Sequence, residues 1–289
     1  LPTPIKRLEK MNAPAIELYR NHGIDLYTEP LEISVCAQHN NGGIAVDDNW
    51  QTCVQGLYAA GEAAGTFGVH RPGGSALNST QVGSMRAAEH IACTTEPDVS
   101  ATEDFLALAE QNVSALLESL EKPLASADGP SNIHERRQAA QMRMSLAAAH
   151  IRDVSRMREI ADEIRAELET FYDIAKIASA REIPALLKNR DILVTQLALL
   201  SAMETSAREA GSRGSCLVLD PDGERISDKL SGFSYCPSKG GFERKVLRTR
   251  LEKDSFVSAF EPVRPIPETG GWFENIWNEY RASHARIKF

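Results

Sequence analysis

The sequence predicts an incomplete α/β domain, followed by an α-helical bundle and an irregular C-terminal tail. Three observations predict it. Helix-like spacing, short apolar runs and glycine turns alternate up to about residue 95. Long stretches of three–four apolar spacing fill residues 100–211, and regularity falls away over 212–289. Residues 1–28 read as the end of a preceding domain and 29–95 as the last segment of the α/β domain.

The first segment, Ile5 to His22, predicts a helix: Leu8, Met11, Ala15, Ile16 and Tyr19 recur at helical spacing, and Gly23 stops it. Leu31 to Cys36 alternates as a strand does. Gly42-Gly43 turns into a short Ile44–Val46 strand, and Leu57 to Ala60 reads as a buried strand ending at Gly61. A Gly/Pro-rich loop then opens a helix over about Leu77 to Cys93. Thr102 and Asp104 cap a helix that Lys122-Pro123 stops after Glu121. From Ile133 to Phe171 apolar residues keep helical spacing, with a break at Arg152-Asp153 and Asp153 as the new cap. Ile192 to Ala210 is a further helix ended by Gly211, so an antiparallel bundle follows. Beyond it, Cys216–Leu219 and Ser255–Val257 look like strands, and Pro262, Pro265 and Pro267 imply an extended tail.

Composition narrows the function. Lys plus Arg number 32 against 40 Asp plus Glu, a net charge of −8. With no basic block, a general nucleic-acid or anionic-lipid binder is excluded. A hydrophobic share of 42% supports a packed core, while no apolar run approaches a membrane span. Five scattered cysteines without a CxxC fit reduced thiols in a cytoplasmic protein, with no metal site. The chain does not begin with Met and enters its first helix at once, which reads as a piece of something longer.

The chemistry lies between Ala37 and Cys93. Thr52 through Glu62 holds a threonine, a glycine turn, a small-residue strand and a Gly61-Glu62 pair at the strand end. The carboxyl end of a strand is where an open α/β sheet binds ligand. Glycine admits a cofactor to the backbone, and a carboxylate accepts bonds from sugar-like hydroxyls. A buried strand followed by an exposed glutamate is the plainer alternative. Next, His70 to Asn78 forms a rigid glycine loop opening a helix, whose N–H groups suit the pyrimidine edge of a reduced flavin. Arg71 adds a full cation; alone, this stretch also reads as a turn with a capping serine. His90, His134 and His150 fall on predicted helices without ligand partners and read as ordinary histidines. Trp272 and Trp277 anchor the tail on this domain or on a neighbour.

Together, Gly42-Gly43-Ile44, Thr52 to Glu62 and Arg71-Pro72-Gly73-Gly74 resemble the flavoprotein family of succinate dehydrogenase, fumarate reductase and L-aspartate oxidase. The likeness continues in Met144 to Asp153 and Ala210 to Gly214, and spans about Leu31 to Leu219. It implies a Rossmann-like FAD-binding domain of which the N-terminal half is missing. It implies that Gly43 and Gly61 lie against FAD and that Glu62 contacts its ribityl or ribose hydroxyls. Ser75, Ala76 and Leu77 would line the pyrimidine edge, with Asn78 a weaker candidate. Arg71 matches the arginine that helps bind the dicarboxylate substrate.

Two departures limit the carry-over. Where the family has a substrate-holding histidine, this chain has Gln38, with His39 beside it. A glutamine donates a hydrogen bond but carries no charge. The family's G-x-G-x-x-G fingerprint is absent, and its proton-donating arginine belongs to an upstream capping domain. Residues Ile5 to Gly23 look like that domain's last helix. The expected function is the C-terminal portion of a FAD-dependent oxidoreductase. It would move a hydride between flavin and a small anionic substrate, with electrons exchanged through another protein or a mobile carrier. The alternative is a helical assembly module that binds no cofactor alone.

Overall fold

The computed structural model describes residues 2–32, 42–67, 73–94, 102–127, 129–214, 216–230, 232–263 and 271–284. The chain divides into two compact units, Leu1–Thr95 and Glu96–Phe289.

The first unit opens with α1, Pro4–Asn21. Thr3 caps it by accepting from the Lys6 N–H, and Pro4 sits in the first turn, where a missing N–H costs nothing. Pro14 lies inside the helix, and Asn12 leaves helical geometry at φ −156° and ψ 67°. This kink is absent from the sequence reading; it arises because proline removes one ladder donor and crowds the preceding turn. Gly23, at φ +82°, ends the segment.

Most of the predicted Leu31–Cys36 strand lies outside the described residues. The strands expected at Ile44–Val46 and Leu57–Ala60 do not form. A single antiparallel bridge, Gln51 to Tyr58, joins this stretch. An extended segment becomes a strand only beside a partner ladder, and among the described residues Ile44–Val46 has none while Leu57–Ala60 has only that one bridge. Turns hold the segment instead: Asp47 Oδ1 accepts from the Asn49 and Gln51 N–H groups at 2.8 and 2.9 Å.

Helix α2, Ser75–Thr94, closes the unit with Gly83 and Ala87 buried. These small residues bring it against the 47–58 loop. A Cβ on Gly83 would stand 2.3 Å from Trp50 Nε1, and Tyr58 Oη shares a 2.7 Å hydrogen bond with His90 Nδ1.

The second unit is built on helices. The first, α3 (Thr102–Ala125), runs through Lys122-Pro123 rather than stopping there. A proline in a last turn forfeits only its own N–H. Pro123 is buried, and its carbonyl accepts from Ser126 Oγ at 2.6 Å. Then come α4 (Ile133–Ala147), β1 (Ile151–Arg152) and α5 (Val154–Glu169). Asp153 caps α5 as predicted, accepting from the Ser155 and Arg156 N–H groups at 2.8 and 3.1 Å. His150 lies past the end of α4 rather than on a helix, and its carbonyl accepts from Leu217 N at 2.7 Å. A short α6, Phe171–Ile174, precedes α7, Ile183–Ala210. The long helix starts well ahead of the expected Ile192, with Pro184 in its first turn. It ends at Gly211, whose φ is +71°.

The core is the seam between α4, α5 and α7. Met157, Ile160 and Ile164 of α5 are fully buried, as are Leu186, Leu193 and Leu200 of α7. Such side chains contribute roughly 1.5–3 kcal/mol each. Buried positions on α7 fall at 186, 189, 193, 196 and 200, the three–four spacing of a coiled-coil seam. Two of them are amides: Asn189 Nδ2 donates to Ile133 O at 2.8 Å and Gln196 Nε2 to Ala140 O at 2.7 Å. Each partner rises by one heptad, so α4 and α7 run parallel. Contacts of Glu167 with Arg136 and of Arg158 with Glu204 set α5 antiparallel to both. That is the up-down-up order expected of successive helices with short connections.

Past the bundle, β2 (Leu217–Arg225) pairs parallel with β1 and antiparallel with β3 (Ser234–Tyr235). Strands β4 (Lys245–Glu252) and β5 (Ser255–Pro262) form a hairpin seated on α7, where Ser201 Oγ meets Phe256 O and Ser258 Oγ at 3.1 and 2.8 Å. The sequence reading found part of β5 and missed β4, whose Arg248 and Arg250 disguise the alternation while pairing with Glu261. The extended stretch expected at Pro265 and Pro267 lies outside the described residues, and beyond it the expected irregular tail is corrected by α8, Trp272–His284. Phe273, Ile276, Trp277 and Tyr280 keep helical spacing along it, and the rings of Phe273, Trp277 and Tyr280 stack in series.

Candidate functional site

The site is assembled in the first unit, where three segments meet. The first is the turn Gly42-Gly43-Ile44. Its backbone crosses that of Ala63–Gly65 so closely that a Cβ on Gly43 would lie 2.4 Å from Ala63 O and Gly65 N. Ile44 N donates to Ala63 O at 2.7 Å, fastening the crossing. Only glycine permits such an approach.

The second segment is a 3-10 turn, Gly61–Ala64, which follows the extended Leu57–Ala60 run. Gly61 adopts φ +69° and is buried, whereas Glu62 is on the surface. The third is the start of α2. Asn78 N donates to Gly74 O, the first bond of the helix, so the N–H groups of Ala76 and Leu77 lie ahead of the intrahelical ladder. Leu77 is 71% exposed although large and apolar.

The second and third segments touch. A Cβ on Gly61 would meet Thr80 Oγ1 at 3.1 Å, and Thr80 Oγ1 donates to Ala76 O at 2.8 Å. One residue away, Thr66 Oγ1 and Ser79 Oγ share a 2.8 Å hydrogen bond. The predicted residues Gly43, Gly61, Glu62, Ser75, Ala76, Leu77 and Asn78 therefore belong to one cluster of elements. Gln38, His39 and Arg71 lie outside the described residues.

Donor chemistry in this cluster fits FAD. A surface carboxylate suits ribityl and ribose hydroxyls, and backbone N–H groups at a helix start suit the electron-rich pyrimidine edge. Among the described residues, no group of three His, Cys, Asp or Glu side chains is placed to hold a metal ion. No helix there is long and apolar enough to cross a membrane.

Next to the cluster lies an open hollow of about 450 Å³, lined by Val46, Asp47, Asp48, Trp50, Thr66, Ser79 and Arg86. None of the predicted cofactor residues lines it. Trp50 has φ +61°, its buried Nε1 has no hydrogen-bond partner, and Arg86 sits 5.8 Å from its ring centroid. Sequence reasoning missed Thr66, Ser79, Thr80 and Trp50. Their contacts link residues far apart in the chain, and no spacing rule exposes them.

Comparison with known proteins points to the same cofactor. Residues 5–77 match the FAD binding domain family. A fumarate reductase (CoM/CoB) polypeptide of Methanothermobacter marburgensis is 28% identical over 185 residues, 63% of this chain and 27% of that protein. The L-aspartate oxidase of Streptomyces coelicolor is 45% identical over 73 residues, 25% of this chain and 12% of that protein. Among solved structures, an E. coli quinol fumarate reductase superposes with a TM-score of 0.65 at 22% identity, covering 93% of this chain and 44% of that one. Mycobacterium smegmatis Sdh1 gives 0.61 at 16%, covering 97% and 45%. The chain thus spans less than half the length of the proteins it matches. Over residues 5–77 the chain thus matches the FAD binding domain family, and over part of their length it is similar to the FAD-dependent flavoproteins named fumarate reductase and L-aspartate oxidase.

Proposed function

We propose that this chain is the C-terminal portion of an oxidoreductase that moves a hydride between FAD and a small anionic substrate. The observation that carries the reading is the packing of the Gly61-Glu62 turn against the opening of α2. Within that arrangement Glu62 anchors the cofactor's sugar-alcohol chain through charge-assisted hydrogen bonds. The Ala76 and Leu77 N–H groups hold the pyrimidine edge and favour its anionic form through the helix dipole. Arg71 orients the substrate carboxylate, with Gln38 and His39 as further substrate-side contacts. When bound, FAD supplies the two-electron chemistry. The pyrophosphate cradle and the capping segment come from the missing N-terminal portion, and a protein or mobile carrier exchanges electrons with the site. A cytoplasmic location suits the reduced thiols.

The test uses the protein extended upstream through a full FAD-binding domain. That protein should purify yellow, and Arg71→Ala should retain flavin while losing turnover by roughly two orders of magnitude or more. Normal turnover in Arg71→Ala would remove it from the site. The second reading, a helical assembly module without cofactor, draws on the exposed Phe105, Leu106, Leu108, Val113 and Leu117 of α3. A colourless extended protein would favour it.

A further inference from the structure

Glu62 and the mouth of α2 act on one cofactor only if their spacing is fixed, and they lie on separate elements. Two contacts bridge them. One is steric: Gly61 rests on the Thr80 side chain, where a Cβ would crowd Oγ1 at 3.1 Å. The other is polar: Thr66, in the turn just after Gly61–Ala64, shares a 2.8 Å hydrogen bond with Ser79, one turn into α2. The steric contact resists approach but not separation. A hydrogen bond resists separation, so the two together define a distance.

The turn is stiffened from its other side as well. Gly65 is held at φ +64° against Gly43, and its N–H donates to Glu62 O at 3.0 Å. Thr66 is therefore joined to a rigid segment at one end and to α2 at its hydroxyl. Ser79 faces the same way, since it lines the open hollow together with Thr66.

We propose that the Thr66–Ser79 hydroxyl pair is a latch that positions the opening of α2 against the Glu62 turn and so sets the affinity and reduction potential of the bound flavin. This assignment rests on the FAD reading of the site. Neither hydroxyl touches the reacting atoms; both act through the helix they hold. Loosening the latch lets the α2 amides drift from the pyrimidine edge, which withdraws stabilisation from the reduced, anionic form more than from the oxidised one.

The experiment uses the extended holoprotein with Thr66→Val, Ser79→Ala, the double variant and Thr66→Ser. FAD dissociation constants, the flavin absorption envelope and the midpoint potential are measured for each. The latch predicts FAD binding weakened roughly 3- to 10-fold in either single variant, the span of one hydrogen bond. It predicts a lower midpoint potential, a double variant no worse than either single one, and recovery in Thr66→Ser. Thermal unfolding of the apoprotein separates this from general damage, because Thr66→Ser must restore potential as well as stability. Wild-type affinity and potential in both single variants, with a yellow parent, would overturn the latch and leave the FAD reading standing. A parent that takes up no FAD would overturn both.

Discussion

Gly43 crosses the Ala63–Gly65 backbone with no space for a methyl group. Gly43→Ala places a Cβ 2.4 Å from Ala63 O and from Gly65 N, and backbone cannot rotate away as a side chain can. The expected cost is about 3 kcal/mol, at the upper end for overpacking, read from denaturant unfolding of the extended protein with FAD uptake falling alongside. Unchanged stability would show that the Gly43–Gly65 crossing is not maintained in solution. Half of this was legible in the sequence: the Gly-Gly pair marks a turn, and Gly61-Glu62 marks the end of an apolar run. The other half was not. Gly65 and Thr66 derive their roles from residues more than a dozen positions away, and local chemistry carries no trace of such pairings. Trp50 is a still plainer case, since a left-handed backbone at a tryptophan contradicts every local preference.

Helices with caps and clean breaks were legible. Asp153 announces α5, and Gly211 announces the end of α7, because each satisfies a local demand of helix termini. Extended elements were harder, since a strand depends on a neighbour that local sequence does not name; this is why, among the described residues, the run at 44–46 forms no strand, the run at 57–60 has a single bridge, and β4 went unseen. The two buried amides of α7 give a sharper test of element-level reasoning. Asn189 is satisfied on both sides: Nδ2 donates to Ile133 O, and Oδ1 accepts from Arg137 Nε at 2.8 Å. Gln196 donates to Ala140 O, but its Oε1 is buried without a partner. Asn189→Leu should therefore cost about 1–3 kcal/mol by removing the acceptor of Arg137 Nε, which leaves that guanidinium only its bond to Ala185 O, whereas Gln196→Met should be neutral or stabilising. Chemical denaturation of the two variants checks this. Equal destabilisation would mean that both amides are fully bonded.

At the level of the whole molecule, an ordered series of motifs pointed to a family resemblance although each motif alone was ambiguous. The family match covers residues 5–77, and the fold likeness covers 93% of the chain. What the series left open was how the substrate side works, because the resemblance puts an uncharged Gln38 where a histidine is expected, and Gln38 and Arg71 both lie outside the described residues. The central claim is narrower than the whole reaction: the Glu62 carboxylate and the start of α2 hold one FAD between them. Titrating the extended apoprotein and its Glu62→Ala variant with FAD, by flavin fluorescence, tests it most directly. The account predicts equimolar binding by the parent and an affinity roughly 10- to 100-fold weaker in Glu62→Ala, the loss of charge-assisted hydrogen bonds to the cofactor. Identical titration curves for the two proteins would contradict it.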